Sequence, residues 1–460
     1  MKDILFYSVW RNAFIQTIIR NQLCKDLVIN VSLKSLEKDC LYLSTLSTRD
    51  KRENNVTIRL DINSEKEFNE YINHKNSFLV DELYFTRLCD AGEFLNHIPR
   101  DISKLTFVID GHKTTFGIRD DIIEPRFPES ITEINIKSYQ FYHDLDSTFI
   151  DSILLNLPAN LVKLCLPDKY VINTTMLPTI PSSLSILKCY TNFQSLMKLR
   201  VPPNKVYKDC TAKVPLSSLN QLQNLDWITS LEVQGNGESK VSSLEPVPSH
   251  IKSLQLTLCE IDINLLPKTL EQLNCASMLM AKNIFPPTLK HLELITFSDR
   301  LEKEVLPVSL TYLNLPYFDQ KLEPGVFRSN LKELILATYN HELQFGLLPN
   351  TLEKLNMERY DKPLLPFVLP NRLKSLDMIR FNQPLVSNSL PASLTHLNLY
   401  YYVGSYECVG PLDNLSVLSS SYFHPSISNV IVNVKDISLT LGQLLPNVSL
   451  SNTSIERLYF

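Results

Sequence analysis

The chain has 460 residues, 44% hydrophobic and 20% charged, a composition that excludes intrinsic disorder and fits a folded protein. Its formal net charge of −4 supplies no basic field for nucleic acid. With 10 glycines against 27 prolines, Gly-rich phosphate loops are not expected, and turns must come from Pro, Ser, Thr and Asn.

Residues 1–25 read as a helix, because Phe6, Trp10, Phe14 and Ile18 recur every four residues and line one face. The same segment has no uninterrupted apolar run leading to a small-residue cleavage site, so it does not read as a signal peptide. Residues 26–76 read as a mixed lead-in. Within it, Ser47–Asn55 is charged and polar and is expected to be a loop, while Val56–Ile62 alternates as a strand does. We therefore divide the chain into a helical and mixed cap region, 1–76, and a repeat solenoid, 77–460, with the best-formed copies at 280–412. No run of about 18 apolar residues occurs, so no membrane span is expected.

The solenoid expectation rests on a fixed period. Leu-Pro-x-x-Leu starts place one slot at Pro286, Pro307, Arg328, Pro349, Pro370, Pro391 and Leu412, each 21 residues after the last. Upstream the beat loosens: Pro248, Pro267 and Pro286 are 19 apart, a degenerate unit lies near Pro203, and Pro99, Pro128 and Pro158 are 29 and 30 apart. The insert Gly111–Pro125 accounts for one long step and is expected to bulge from the convex side or a rim. Apolar residues follow each slot at the third, sixth and eighth places, as in Leu310, Leu313 and Leu315. The last two share one side of a short strand. An aromatic file keeps the same step at Phe297, Phe318, Tyr339, Tyr360 and Phe381. Each is followed by Ser, Asp or Asn and then by Leu.

One copy buries too little apolar surface to offset the ordering of about twenty residues. Stacked in register, the copies share one core and one parallel sheet. The fold class expected is thus a mainly β or α/β-type repeat solenoid, with short parallel strands every 21 residues or so, an irregular, turn-built convex side and an N-terminal helical cap. The final copy, Ile455–Phe460, fits the same slots. Its sheet edge is expected to fray or to pair with another chain.

The nine cysteines include no C-x-x-C pair, which fits a reducing, cytoplasmic setting; Cys189 and Cys275 take core slots as small hydrophobes. Asn-x-Ser/Thr triplets at Asn30, Asn173 and Asn447 read as chance in an Asn-rich chain. Recurrent Pro-x-Ser/Thr/Asn starts read as turn chemistry, not phosphorylation sites. Histidines are dispersed; His291 and His396 share a slot five copies apart, roughly 24 Å at the spacing of stacked strands, too far for one metal. No nucleophile, P-loop or zinc-binding spacing occurs. Neither an enzyme nor a bound cofactor is expected.

The stretch Phe381-Asn382-Gln383-Pro384-Leu385, followed by Leu390-Pro391-Ala392-Ser393-Leu394-Thr395-His396-Leu397, resembles the FNIP repeat. The resemblance covers 280–400 clearly and about 77–460 in degenerate form. It implies a leucine-rich-repeat-like solenoid with an interaction role. The pattern departs from L-x-x-L-x-L-x-x-N, because an aromatic holds the Asn slot and Asn or Asp comes one place later. The segment Leu5–Asn12 resembles the leader that precedes such repeats. It is expected to cap the solenoid; the alternative is an F-box-like hook that makes the chain a substrate receptor of a ubiquitin ligase.

On each strand the fifth and seventh places face away from the core and line the concave surface. Asparagine takes five of thirteen seventh places. Stacked amides that hold register explain that frequency; a polar groove for a protein or peptide is compatible with it. The candidate partner contacts are Asn274, His291, Glu293, Tyr312, Asn314, Lys354, Asn356, Asp377, His396 and Asn398, with Tyr312 beside Asn314 foremost because aromatics favour interface centres. The function expected is a non-catalytic scaffold for an unknown protein partner, with no nucleic acid and no membrane.

Overall fold

The computed structural model describes residues 24–86, 94–109, 125–138, 147–235, 247–258, 266–276, 284–328, 330–422, 424–434 and 436–443, and 453, 455 and 457–459. The expected N-terminal helix, with its cap and hook readings, and the bulging insert lie outside the described residues, apart from Cys24, Lys25 and Pro125. The chain forms two compact units, Met1–Lys213 with Asn224–Thr229, and Val214–Gln223 with Ser230–Phe460.

The first unit is a parallel sheet of β1 (Val28–Val31), β2 (Thr57–Ile62), β3 (Glu82–Phe85), β4 (Lys104–Ile109), β5 (Glu133–Ser138), β6 (Lys163–Cys165) and β7 (Ile186–Asn192), each paired with the next. One register runs through it: Leu60, Leu83, Leu105, Ile134, Leu164 and Leu187 are successive partners, all buried. These residues repeat the sixth slot of each copy, so the period read from the sequence is the strand repeat. The sheet also takes in β1 and β2, from the segment upstream of 77. The next strand, β8 (Tyr207–Pro215), pairs with β7 from Cys189↔Cys210 onward.

Helices return the chain between several of these strands. α1 (Leu33–Lys38), α2 (Cys40–Leu43) and α3 (Thr48–Asn54) lie between β1 and β2; α4 (Glu65–Ile72) follows β2; α5 (Ser147–Leu155) fills the 30-residue step between β5 and β6. The turn-built convex side expected of every copy is therefore corrected for this unit. Step length alone does not decide this: α5 lies in a 30-residue step, but α4 lies between the partners Leu60 and Leu83, and a further short helix, Phe193–Met197, lies between the partners Cys189 and Cys210. The Ser47–Asn55 loop is likewise corrected to α3. The Asp50 N–H donates to Ser47 Oγ (3.1 Å) and the Ser47 N–H to Asp50 Oδ2 (3.2 Å), a capping box. Arg49 pairs with Glu53 one turn on, and Asn55 ends the helix in the left-handed region.

In the second unit, β9 (Ile228–Gln234) pairs from Ser230 onward with β10 (Ser253–Thr257). The ladder continues through β11 (Gln272–Cys275), β12 (His291–Leu294), β13 (Tyr312–Asn314), β14 (Glu333–Ile335), β15 (Lys354–Asn356), β16 (Ser375–Asp377), β17 (His396–Asn398), β18 (Val417–Tyr422), β19 (Asp436–Gln443) and β20 (Arg457–Tyr459). From Leu292 through Leu313, Leu334, Leu355 and Leu376 to Leu397, each sixth-slot leucine partners the next. Among the described residues, turns alone connect β12 to β18, as expected of the 21-residue copies.

Three further files bind each copy to the next. Phe297 stacks on Phe318 (centroids 6.0 Å apart) and Phe318 on Tyr339; Tyr360 stacks on Phe381 and Phe381 on Tyr402, all six buried. Beside this spine, Asp319, Asn340, Asp361 and Asn382 each accept, through Oδ1, the backbone N–H one copy later, at 2.9–3.0 Å. The asparagine ladder is thus present, displaced one place by the aromatic. At the turn, Ser309, Thr351 and Ser393 donate their hydroxyls to the Leu289, Leu331 and Leu373 carbonyls of the preceding copy. These hydroxyls are structural donors, as the turn reading expects.

Candidate functional site

Strand alternation sets the candidate surface. Leu292, Leu313, Leu334, Leu355, Leu376 and Leu397 enter the core, so the residues on either side of each point to the opposite face. On that face Lys354 and His396 are exposed, while the other eight candidates are half-buried. In-register neighbours lie only about 4.8 Å away and cover each other's flanks.

The candidates fall into two groups. In the first, the His291 and Tyr312 rings lie parallel, 3.8 Å apart at an interplanar angle of 4°. Register places these residues directly opposite one another. Burial lowers the His291 pKa below its ordinary value, against the pull of Glu293 and Glu333. Burial also raises that of Tyr312. The ring pair is therefore neutral near pH 7. Beneath it, Glu293 is held on both sides: Asn274 Nδ2 donates to Oε2 (3.0 Å) and Asn314 Nδ2 to Oε1 (2.9 Å). The amide–carboxylate–amide bridge fixes three side chains in one rigid strip.

Ile335 interrupts the row. The second group, Asn356, Asp377 and Asn398, occupies three successive strands. Their Oδ1 atoms, and that of Asn314, are buried without a hydrogen-bond partner. Burial raises the Asp377 carboxyl above the usual aspartate range; the Asn398 amide opposes that shift, and Glu358 adds to it. Lys354 pairs with Glu333 at 3.2 Å. The structure thus brings together Asn274, His291, Glu293, Tyr312 and Asn314, and separately Asn356, Asp377 and Asn398. It leaves Lys354 and His396 projecting at the margin.

The corresponding face of the first unit is built differently, and sequence reasoning missed it. Arg59 Nε meets Glu82 Oε2 at 3.0 Å, and Glu133 accepts both Lys104 (3.4 Å) and Lys163 (3.3 Å). Thr106 Oγ1 donates to the buried Glu82 at 2.7 Å, and the Arg59 guanidinium lies 4.9 Å from the Tyr84 ring centre. The signal was available: charge alternates in sign at the fifth place through Glu82, Lys104, Glu133 and Lys163. These five charged side chains, Arg59, Glu82, Lys104, Glu133 and Lys163, are paired with one another. Among the described residues no cluster of His, Cys, Asp or Glu has metal-holding geometry, and no helix is long and apolar enough to cross a membrane.

Comparison with known proteins agrees with the repeat structure. The FNIP Repeat family model matches residues 280–318, 297–338, 318–359, 339–380 and 381–403, all in the second unit. None of the curated proteins matches the chain. Among solved structures, the chain is similar to CroV588, described as a novel circular LRR protein, at 17% identity and a TM-score of 0.38, covering 82% of this chain and 72% of that one. It is similar also to the mouse RP105/MD-1 complex at 13% identity and a TM-score of 0.44, covering 91% and 83%. Residues 280–403 of this protein are a run of FNIP repeats.

Proposed function

We propose that the chain is a non-catalytic scaffold whose second unit binds a protein partner on the sheet face between β11 and β17. The observation that carries the reading is the His291–Tyr312 stack beside the Asn274–Glu293–Asn314 bridge. Aromatic surface already held in one rotamer loses little entropy on binding, and Tyr favours the centre of an interface. Exposed Lys354 and His396 supply a polar rim along the same face. By contrast, Arg59, Glu82, Lys104, Glu133 and Lys163 of the first unit's face are paired with one another and that face carries no stacked ring pair like His291–Tyr312 among the described residues, so the second unit is the better docking surface. The reading places the protein in the cytoplasm.

The test is capture from the cytosol of the source cells with the whole chain and with the double variant Tyr312→Ala, Asn314→Ala, after checking that both unfold cooperatively. The proposal expects a partner retained by the parent and lost from the variant. The same partner recovered equally by both would overturn it.

A further inference from the structure

Register repeats every side chain over its counterpart one copy later, and at one place in the first unit the repeated residue is cysteine. Counting from Pro181 and Pro202, Cys189 and Cys210 both take the eighth, core-facing slot. They are direct Cα partners in β7 and β8. Neighbouring strands lie about 4.8 Å apart. That separation is within the roughly 4.4–6.8 Å between Cα atoms that a disulfide spans. Both residues are buried, at 4% and 0% exposure, and their sulfurs are 2.7 Å apart. Cys165, the nearest other cysteine in the sequence, partners Lys188 and stands on the opposite face of the sheet, so it does not compete.

We propose that Cys189 and Cys210 are a modification site, closing into a disulfide that staples two successive copies of the first unit. The co-reactant is a small-molecule disulfide. One cysteine thiolate attacks it, forming a mixed disulfide and releasing one thiolate. The second cysteine then attacks the mixed disulfide and expels the other. Two S–H bonds and the oxidant's S–S bond are lost; one protein S–S bond and two small-molecule S–H bonds form. The two protons pass from the cysteines to the leaving thiolates.

The site is shielded. The hydrogen bond to Cys189 and burial hold the Cys210 thiol well above its ordinary pKa, so the folded chain carries little thiolate. Exchange therefore proceeds through local opening, and once formed the bond is equally protected from reductants. The staple closes a loop of about 21 residues, which restricts the unfolded chain and raises the melting temperature.

The test incubates the full chain with oxidised glutathione in sub-denaturing urea, blocks remaining thiols with N-ethylmaleimide, and maps peptides by mass spectrometry. The expected result is a peptide joining Cys189 to Cys210, two hydrogens lighter than its reduced parts, with a higher melting temperature than the reduced chain. Cys165→Ser should leave that peptide unchanged. Cys210→Ala should abolish it, together with the difference in melting temperature between oxidised and reduced samples. Maleimide on both Cys189 and Cys210 after full oxidation, or either cysteine joined to a different one, overturns the proposal.

Discussion

Asp361 ties one copy to the next through a single atom: its Oδ1 accepts both the Asn382 backbone N–H and the Gln383 Nε2–H at 3.0 Å. The bond is exposed to solvent, so without Asp361 the N–H turns to water and the stack forfeits the net worth of the contact, about 0.5–1.5 kcal/mol. Asp361→Ala should therefore destabilise the second unit by about 1 kcal/mol. Asp361→Asn keeps the acceptor and should stay within about 0.5 kcal/mol of the parent. Urea unfolding of the pair checks this; equal losses would show that charge, not the acceptor, matters at this place.

The aromatic spine supports a second prediction. Phe381 is fully buried and lies between Tyr360 and Tyr402, with centroids 6.4 and 5.9 Å away. Phe381→Ala removes both stacks and leaves a cavity, at a cost of about 3–5 kcal/mol. Phe381→Tyr should cost under about 1 kcal/mol. Tyr360 and Tyr402 each direct their hydroxyl to the carbonyl three residues on, Pro363 and Ser405, and Pro384 stands in the same place for residue 381. Thermal melts of the two variants should separate clearly.

The turn side of the repeat contains strain that can be relieved. Glu304, Gly325, Gly346, Phe367 and Asn388 recur every 21 residues, and each has φ between 60° and 88°. Glycine and asparagine suit that left-handed region; phenylalanine does not. Phe367 is 64% exposed, so its ring gains little from burial. Phe367→Asn should stabilise the protein by about 0.5–1 kcal/mol, read as a higher urea midpoint. The backbone N–H of residue 367 keeps its bond to the Asn388 carbonyl, at 2.9 Å, in either case.

What the sequence disclosed follows the same physics. The sixth-slot leucines were legible because a stacked fold repeats one residue over itself, so Leu313 and Leu334 announce their contact through spacing alone. Ser309 and Thr351 were legible as turn donors for the same reason. α3 was missed because polar composition masked its caps, although Ser47 and Asp50 carry the capping signal three residues apart. α5 was missed because a long step has many possible contents. At the candidate surface, the direction in which Tyr312 and Asn314 point followed from alternation. Their half-burial and the grip of Asn274 and Asn314 on Glu293 did not, because these depend on side-chain reach between strands, which period cannot convey.

Asp377 gives a prediction whose sign is opposite to that of most aspartates. Burial raises its carboxyl pKa in the fold, with Glu358 adding to the shift and Asn398 opposing it. A carboxyl whose folded pKa exceeds its unfolded one favours the fold while protonated. That contribution is complete below the unfolded aspartate range and is lost as pH rises through the folded value. At neutral pH the ionised group therefore weakens the second unit, with Asn356 on one side and Asn398 on the other. Asp377→Asn removes the charge and continues the amide file. It should raise stability at pH 7, and its advantage should shrink as pH falls into the acid range where Asp377 is itself neutral. Urea midpoints of parent and variant between pH 4 and pH 8, scales set by the ordinary aspartate pKa of about 3.9, measure the difference. An advantage that stays constant with pH would mean that the variant acts through packing alone, and that Asp377 remains charged in the fold at no cost.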